Sequence, residues 1–144
     1  MLFGKRNRIV KRILVVEDEP LTAFDNETML RDLGYEVVGT LDSFESAIEL
    51  LDREEIDLIL SDYRLQGERT GLDLARAAKT RNIAILFSTG HELPAESVQL
   101  ALGCITKPYT ERTLKLGLEA VDRHLAGEPA SPPKGVQLFH SSDG

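Results

Sequence analysis

Five short apolar runs, most of them closed by a polar residue and each separated from the next by a stretch of helical periodicity, constrain this 144-residue chain more than any other feature. Ile13 to Val16 runs into Glu17 and Asp18, and Leu58 to Leu60 passes through Ser61 into Asp62. Ile83 to Phe87 leads through Ser88 to Thr89, and Cys104 to Thr106 leads into Lys107 and Pro108. Tyr35 to Thr40 (YEVVGT) is the fifth run. Short apolar runs bounded in this way read as strands buried on both faces. In a parallel sheet the carboxyl ends of the strands open on one edge, where ligands of such folds bind. Four separate segments would therefore deliver carboxylates, a hydroxyl and an ammonium to one place.

The intervening stretches supply the helices. Strand one is expected near 12–16, and Pro20 suits the first turn of a helix. That helix has Leu21, Phe24, Thr28, Leu30 and Leu33 roughly on one face, and Gly34 closes it. A second helix follows from Ser43 as N-cap to about Arg53, with Ser46 and Glu49 as a weaker capping pair. The third strand spans 56–61, and Gly71 opens a helix to about Thr80 with Leu72, Leu74, Ala75 and Ala78 facing the core. The fourth strand covers 83–88, a short helix lies near 95–100, and the fifth strand is near 102–106. A last helix, about 110–126, has Leu114, Leu118, Val121 and Leu125 on one stripe. This alternation implies a doubly wound α/β fold around a parallel sheet.

Size and composition fit one soluble domain: 42% of residues are apolar and 28% charged. A chain of this length buries roughly two thirds of its unfolded surface. No apolar run approaches the ~20 residues of a membrane span, and the start MLFGKRNRIVKR has no apolar signal region. A cytoplasmic, membrane-free protein is the expectation. Cys104 is the single cysteine, which excludes an internal disulfide and reads as a packed core thiol. Five of the 17 basic residues precede Ile13 and every acidic residue follows it, so the remainder carries 12 basic against 24 acidic residues, or −12. An acidic body disfavours nucleic acid. We therefore divide the chain into a basic lead-in over 1–9, a domain over 10–126 and a Pro/Ser/Gly-rich tail over 127–144 expected to be disordered. Within that tail Val136 to Phe139 is the one apolar patch that has a docking alternative. With 18 residues after the last expected helix, no output domain is expected.

Glu17, Asp18 and Asp62 at neighbouring strand ends would repel unless something cationic neutralised them. Mg²⁺ suits such a site because it takes carboxylate oxygens and substrate phosphate together. Asp62, placed directly after a buried strand, is the candidate nucleophile toward a phosphoryl group. Lys107 would pair with a phosphoryl oxygen, and the Thr89 hydroxyl would donate to another. Plain alternatives stand beside these roles: Glu17-Asp18-Glu19 as a solvated acidic loop, and Thr89 as a turn or N-cap residue before Gly90. Arg64 and His91, each two residues from a site residue, either tune the lifetime of the phosphorylated state or are an exposed arginine and a loop histidine. The conjunction of four segments in this order carries the reading.

On these motifs (ILVVEDEP, DLILSDYRL, FSTGH and TKPY) the chain over about 10–126 resembles the receiver domain of bacterial two-component response regulators. The resemblance implies a flavodoxin-like fold, a five-stranded parallel sheet of order 2-1-3-4-5. It implies Asp62 as phosphoacceptor, with Glu17, Asp18, Asp62 and the Arg64 backbone carbonyl around Mg²⁺ and with Thr89 and Lys107 on the phosphoryl group. The donor would be a sensor histidine kinase or a histidine phosphotransferase. The protein would catalyse its own phosphoryl transfer and dephosphorylation, as a monomer or weak dimer, and signal to an unknown output protein or drain phosphate from a kinase. Two departures stand out: Cys104 occupies the position of the usual aromatic switch residue, and the 89–107 segment is short enough to reduce the fourth helix. Both, with LFSTGH, resemble the alphaproteobacterial single-domain subgroup bearing a Phe-Ala-Thr-Gly motif. The rival readings are a receiver-like adaptor that works without phosphorylation, a small Mg²⁺-dependent phosphatase, and a flavin-binding domain. The phosphatase would want an Asp-x-Asp pair, where Asp62 is followed by Tyr63 and Arg64; the flavin site would want an uncharged phosphate loop in place of EDEPLTAF.

Overall fold

The computed structural model describes residues 8–65 and 67–139; residues 1–7 of the expected lead-in and 140–144 of the expected tail lie outside the described residues. The elements in chain order are β1 (Arg12–Val16), α1 (Pro20–Asp32), β2 (Glu36–Leu41), α2 (Phe44–Leu51), β3 (Leu58–Asp62), α3 (Gly71–Thr80), β4 (Ala84–Thr89), α4 (Ser97–Leu100), β5 (Gly103–Thr106), α5 (Glu111–Leu125) and β6 (Val136–Leu138). The sheet runs β2-β1-β3-β4-β5-β6. Its first five strands pair in parallel, which is the expected flavodoxin-like order 2-1-3-4-5.

Alternation along each strand separates two cores. Leu14, Val16, Ile59, Ile85 and Phe87 face α2 and α3. Ile13, Val15, Leu58, Leu60, Leu86 and Ile105 face α1 and α5, where Leu30, Leu114, Leu118 and Val121 meet them. Local chemistry sets the helix ends. Ser43 accepts from the Ser46 amide, Thr110 from the Thr113 amide, and Thr70 with Asp73 forms a reciprocal capping box. Gly34, at φ +93°, turns the chain out of α1 while its amide and that of Tyr35 bond back to the Arg31 and Leu30 carbonyls. The amino end of β1 is fixed from two sides: Asp122 in α5 accepts from the Ile9 and Val10 amides, and Asp57 from those of Lys11 and Arg12.

The structure corrects three expectations. Leu21 and Phe24 do not face the core; they are 75% and 68% exposed, and Ala23, Asn26 and Leu30 form the buried stripe of α1. At about 100° per residue, positions 21, 24 and 28 share a stripe roughly opposite to 23, 26 and 30. Leu125 likewise ends up partly exposed, while Leu114, Leu118 and Val121 are fully buried. The tail expected to be disordered from 127 onward instead returns to the sheet: Val136–Leu138 pairs antiparallel with β5 as a sixth strand, so the folded domain does not end at 126. Its physical reason is burial, since Val136 and Phe139 insert into the two cores, one on each face. The reduced fourth helix is present as a single turn, held to α3 by Arg76 on Glu96 and by Lys79 on the Gln99 carbonyl.

Gly71 has no room for a side chain. Its amide donates to the Tyr63 carbonyl at 2.7 Å, and a Cβ there would sit 2.6 Å from that oxygen and 2.9 Å from the Phe87 ring. Gly71→Ala should therefore lower the unfolding free energy by about 2 kcal/mol, the usual cost of overpacking, as measured by urea titration at constant m-value.

Candidate functional site

β1, β3 and β4 are among the most buried parts of the chain, so their last residues are held firmly. β1 delivers Glu17 and Asp18, β3 delivers Asp62, β4 ends in Thr89, and β5 leads to Lys107. Glu17, Asp18 and Asp62 can each place a carboxylate oxygen within 4.8 Å of the others. Lys107 lies between them: its Nζ donates to Glu17 Oε1 at 2.8 Å and to Asp62 Oδ2 at 2.9 Å. Asp62 Oδ1 accepts from the Arg64 amide at 3.0 Å, so both oxygens of this carboxylate are held. Tyr63 stands edge-on against Phe87 below it, with ring centroids 5.8 Å apart.

Electrostatics follow from burial. Glu17 is only 2% exposed. Burial pushes its carboxyl above the usual carboxylate range, and the Lys107 hydrogen bond and the Glu19 amide offset this only in part. For Lys107 burial favours the neutral amine, but the hydrogen bonds to Glu17 and Asp62 outweigh it and the ammonium is held above its ordinary value. Three carboxylates and one ammonium leave the site about two charges negative. The donors are all hard oxygens, with no sulfur or imidazole in the cluster, which fits a small divalent cation of the Mg²⁺ class.

Thr89 and Arg64 make local contacts. The Thr89 hydroxyl donates to the His91 carbonyl at 3.0 Å and accepts from the His91 amide at 3.1 Å, so it closes a turn, the alternative its position before Gly90 offered. Its carbonyl accepts from the Lys107 amide at 2.8 Å, which ties β4 to the lysine by the backbone. Arg64 contributes its amide, and its side chain is exposed, as is His91. Cys104 is half-buried, and burial pushes its thiol up, which agrees with a packed thiol.

Sequence reasoning quoted TKPY without giving Tyr109 a task. Its hydroxyl donates to Asn26 Oδ1 at 2.6 Å, and Asn26 is 2% exposed in α1. Burial first, then the Glu17 charge, pushes the Tyr109 phenol above its ordinary value, so it stays a neutral donor. A polar residue on the buried stripe of α1 was the available signal, and the wrong choice of stripe hid it. The contact joins α1 to the loop that carries Lys107.

The protein matches the response regulator receiver domain model over residues 13–119. The transcriptional regulatory protein PdtaR of Mycobacterium tuberculosis is 36% identical over 76 residues, covering 53% of this chain and 37% of its own length. The chain thus spans well under half of that regulator. The chemotaxis protein CheY of Pseudomonas aeruginosa is 26% identical over 81% of this chain and 99% of its own. Among solved structures, the receiver domain of the sensor histidine kinase PA1611 from Pseudomonas aeruginosa, with magnesium coordinated in its active-site cleft, superposes with a TM-score of 0.67. It shares 28% identity and covers 76% of this chain and 95% of that one. The chain belongs to the response regulator receiver domain family, the signal-transduction modules of two-component systems. No helix among the described residues is long and apolar enough to cross a membrane.

The raised Glu17 carboxyl makes the folded chain bind its proton more tightly than the unfolded chain does. In metal-free buffer this group's contribution to stability should therefore fall as pH rises from the ordinary value of 4.5 through the raised folded value. Glu17→Gln, which keeps an acceptor for Lys107, should flatten that slope when urea midpoints are followed against pH in chelator.

Proposed function

We propose that this chain is a phosphoacceptor of a two-component relay, and that Asp62 takes the phosphoryl group from a phosphohistidine of a sensor histidine kinase or histidine phosphotransferase. The observation that carries this reading is the Lys107 ammonium, bonded at once to Glu17 and Asp62 beside Asp18. An Asp62 oxygen attacks phosphorus in line, the P–N bond breaks, and its electron pair returns to the imidazole. Water later attacks the same phosphorus, breaks the P–O bond to Asp62, and releases inorganic phosphate and the free carboxylate. Lys107 stays within reach of the transferred oxygens throughout. Thr89 donates its proton to one of them once it leaves the His91 carbonyl, so the acylated state favours a different turn at 89–91.

The oxygen donors of Glu17, Asp18 and Asp62, with the Arg64 carbonyl, would hold Mg²⁺, which supplies charge neutralisation for the phosphoryl group. Arg64 and His91, exposed on either side of Asp62 and Thr89, would set the lifetime of the acyl phosphate. Output runs by protein contact, or the chain drains phosphate from a kinase, in the cytoplasm and as a monomer or weak dimer. The reduced α4 and the string LFSTGH support placement in the subgroup with the Phe-Ala-Thr-Gly motif.

Incubation with Mg²⁺ and acetyl phosphate, read by intact mass, should give one phosphoryl adduct on the native chain and none on Asp62→Asn. Lys107→Ala should slow uptake by about 10²-fold, the scale for losing a preorganised charge-stabilising donor. Cys104→Tyr should take up phosphate normally. No adduct with acetyl phosphate or with a panel of phosphohistidine donors would leave a receiver-shaped adaptor.

A further inference from the structure

β6 is built into the domain, and the residues around it have been shaped to receive it. A Cβ at Gly103 would fall on the Gln137 carbonyl oxygen, and one at Gly117 in α5 would sit 2.9 Å from Val136 Cγ2. Val136 and Phe139 are 8% and 9% exposed, one in each core, so the strand clips over the sheet edge. The strand is also the least secured in the sheet. It is three residues long, lies at the edge, and is tethered by the Pro-containing stretch 127–135. Short edge elements of this kind open at low cost.

Two links run from β6 to Thr89. The Gly135 carbonyl accepts from the Thr106 amide, and the next amide, that of Lys107, donates to the Thr89 carbonyl. Phe139 lines an open cleft of about 570 Å³ together with Thr89, His91, Leu93, Val98 and Cys104. The turn at 89–91 and the loop after it thus share the walls of this cleft with the Phe139 side chain. The turn is held by the Thr89 hydroxyl, which has one proton to give and gives it to the His91 carbonyl.

We propose that β6 is a strap on the switch: docking of β6 on β5 and engagement of Thr89 with a phosphoryl group on Asp62 oppose each other. This rests on the phosphoacceptor reading. A Thr89 hydroxyl that donates to a phosphoryl oxygen has left His91, the cleft wall formed by 89–95 loosens, and Leu93, which packs against the core cluster that holds Phe139, loosens with it. The released strand bares the β5 edge and the hollow beside Gly117. By linkage, freeing β6 must favour phosphorylation by the same factor.

The test is residue-resolved hydrogen exchange on the full chain with Mg²⁺, with and without acetyl phosphate. The Thr106 and Phe139 amides, which donate to Gly135 and Leu102, report on β6 directly. They should exchange faster in the phosphorylated chain, within the roughly 5- to 150-fold scale of a two-site coupling, with β1 and β3 amides unchanged and no effect in Asp62→Asn. Phe139→Ala should speed the same two amides without any phosphodonor and raise the ratio of phosphorylated to free chain severalfold at a fixed acetyl phosphate concentration. Gly103→Ala, which displaces β6 through the Gln137 carbonyl, gives the same two readouts should Phe139→Ala fold poorly. A chain shown by mass to be fully phosphorylated whose Thr106 and Phe139 amides exchange at the unphosphorylated rate, or slower, overturns the strap and leaves the phosphoacceptor reading intact. Absence of any adduct overturns both.

Discussion

The Lys107 ammonium is the contact on which the geometry of the strand ends depends. Three carboxylates converge there, one of them almost wholly removed from water, and such a group is tolerated only when a partner is in place. Losing that partner would leave uncompensated buried charge, so the chain invests in fixing the lysine. Its amide is bonded to Thr89, and the loop after it is joined to α1 through Tyr109 and Asn26. Strands β1, β3 and β5 are separated along the chain by more than forty residues each, yet their ends meet at distances of 2.8 and 2.9 Å. A site of this kind contributes little to stability and much to the requirement that the sheet have a single register.

Under the phosphoacceptor reading Thr89 would serve two arrangements. A hydroxyl has one proton and several acceptors within reach. Here the proton goes to a carbonyl two residues on, which stabilises a local turn. A phosphoryl oxygen is a stronger acceptor than a peptide carbonyl because it carries charge. In the proposed phosphorylated state the balance between the two would be set by the group on Asp62, and the loop that contains His91 and Leu93 would move with it.

Most of the architecture was legible because buried parallel strands are short, apolar and punctuated. Each expected strand lies within two residues of its observed place, and the Ser43 cap uses a side chain next to the helix it closes. The gathering of Glu17, Asp18, Asp62 and Lys107 followed from strand ends alone. What escaped notice depends on non-local packing. α1 has two apolar stripes, and only the sheet decides that Ala23, Asn26 and Leu30 go inside while Leu21 and Phe24 stay out. Val136 to Phe139 looks like any apolar patch in a tail until the spaces left by Gly103 and Gly117 are known. The orientation of the Thr89 hydroxyl is a choice between acceptors a few ångströms apart, and residue types do not encode it.

Asp122 has a consequence for how the chain reaches this state. Its carboxylate, in the last turns of α5, accepts the amides of Ile9 and Val10 just before the central strand β1. On a ribosome β1 emerges first and its clasp emerges 112 residues later. Until α5 is made, those amides lack the acceptor that holds them, and the strand between β2 and β3 has an unfastened end. Contacts of this sequence separation slow folding because a long loop must close before they give anything back. The amino end of β1 is therefore fastened from behind by a helix that follows all five parallel strands in the chain.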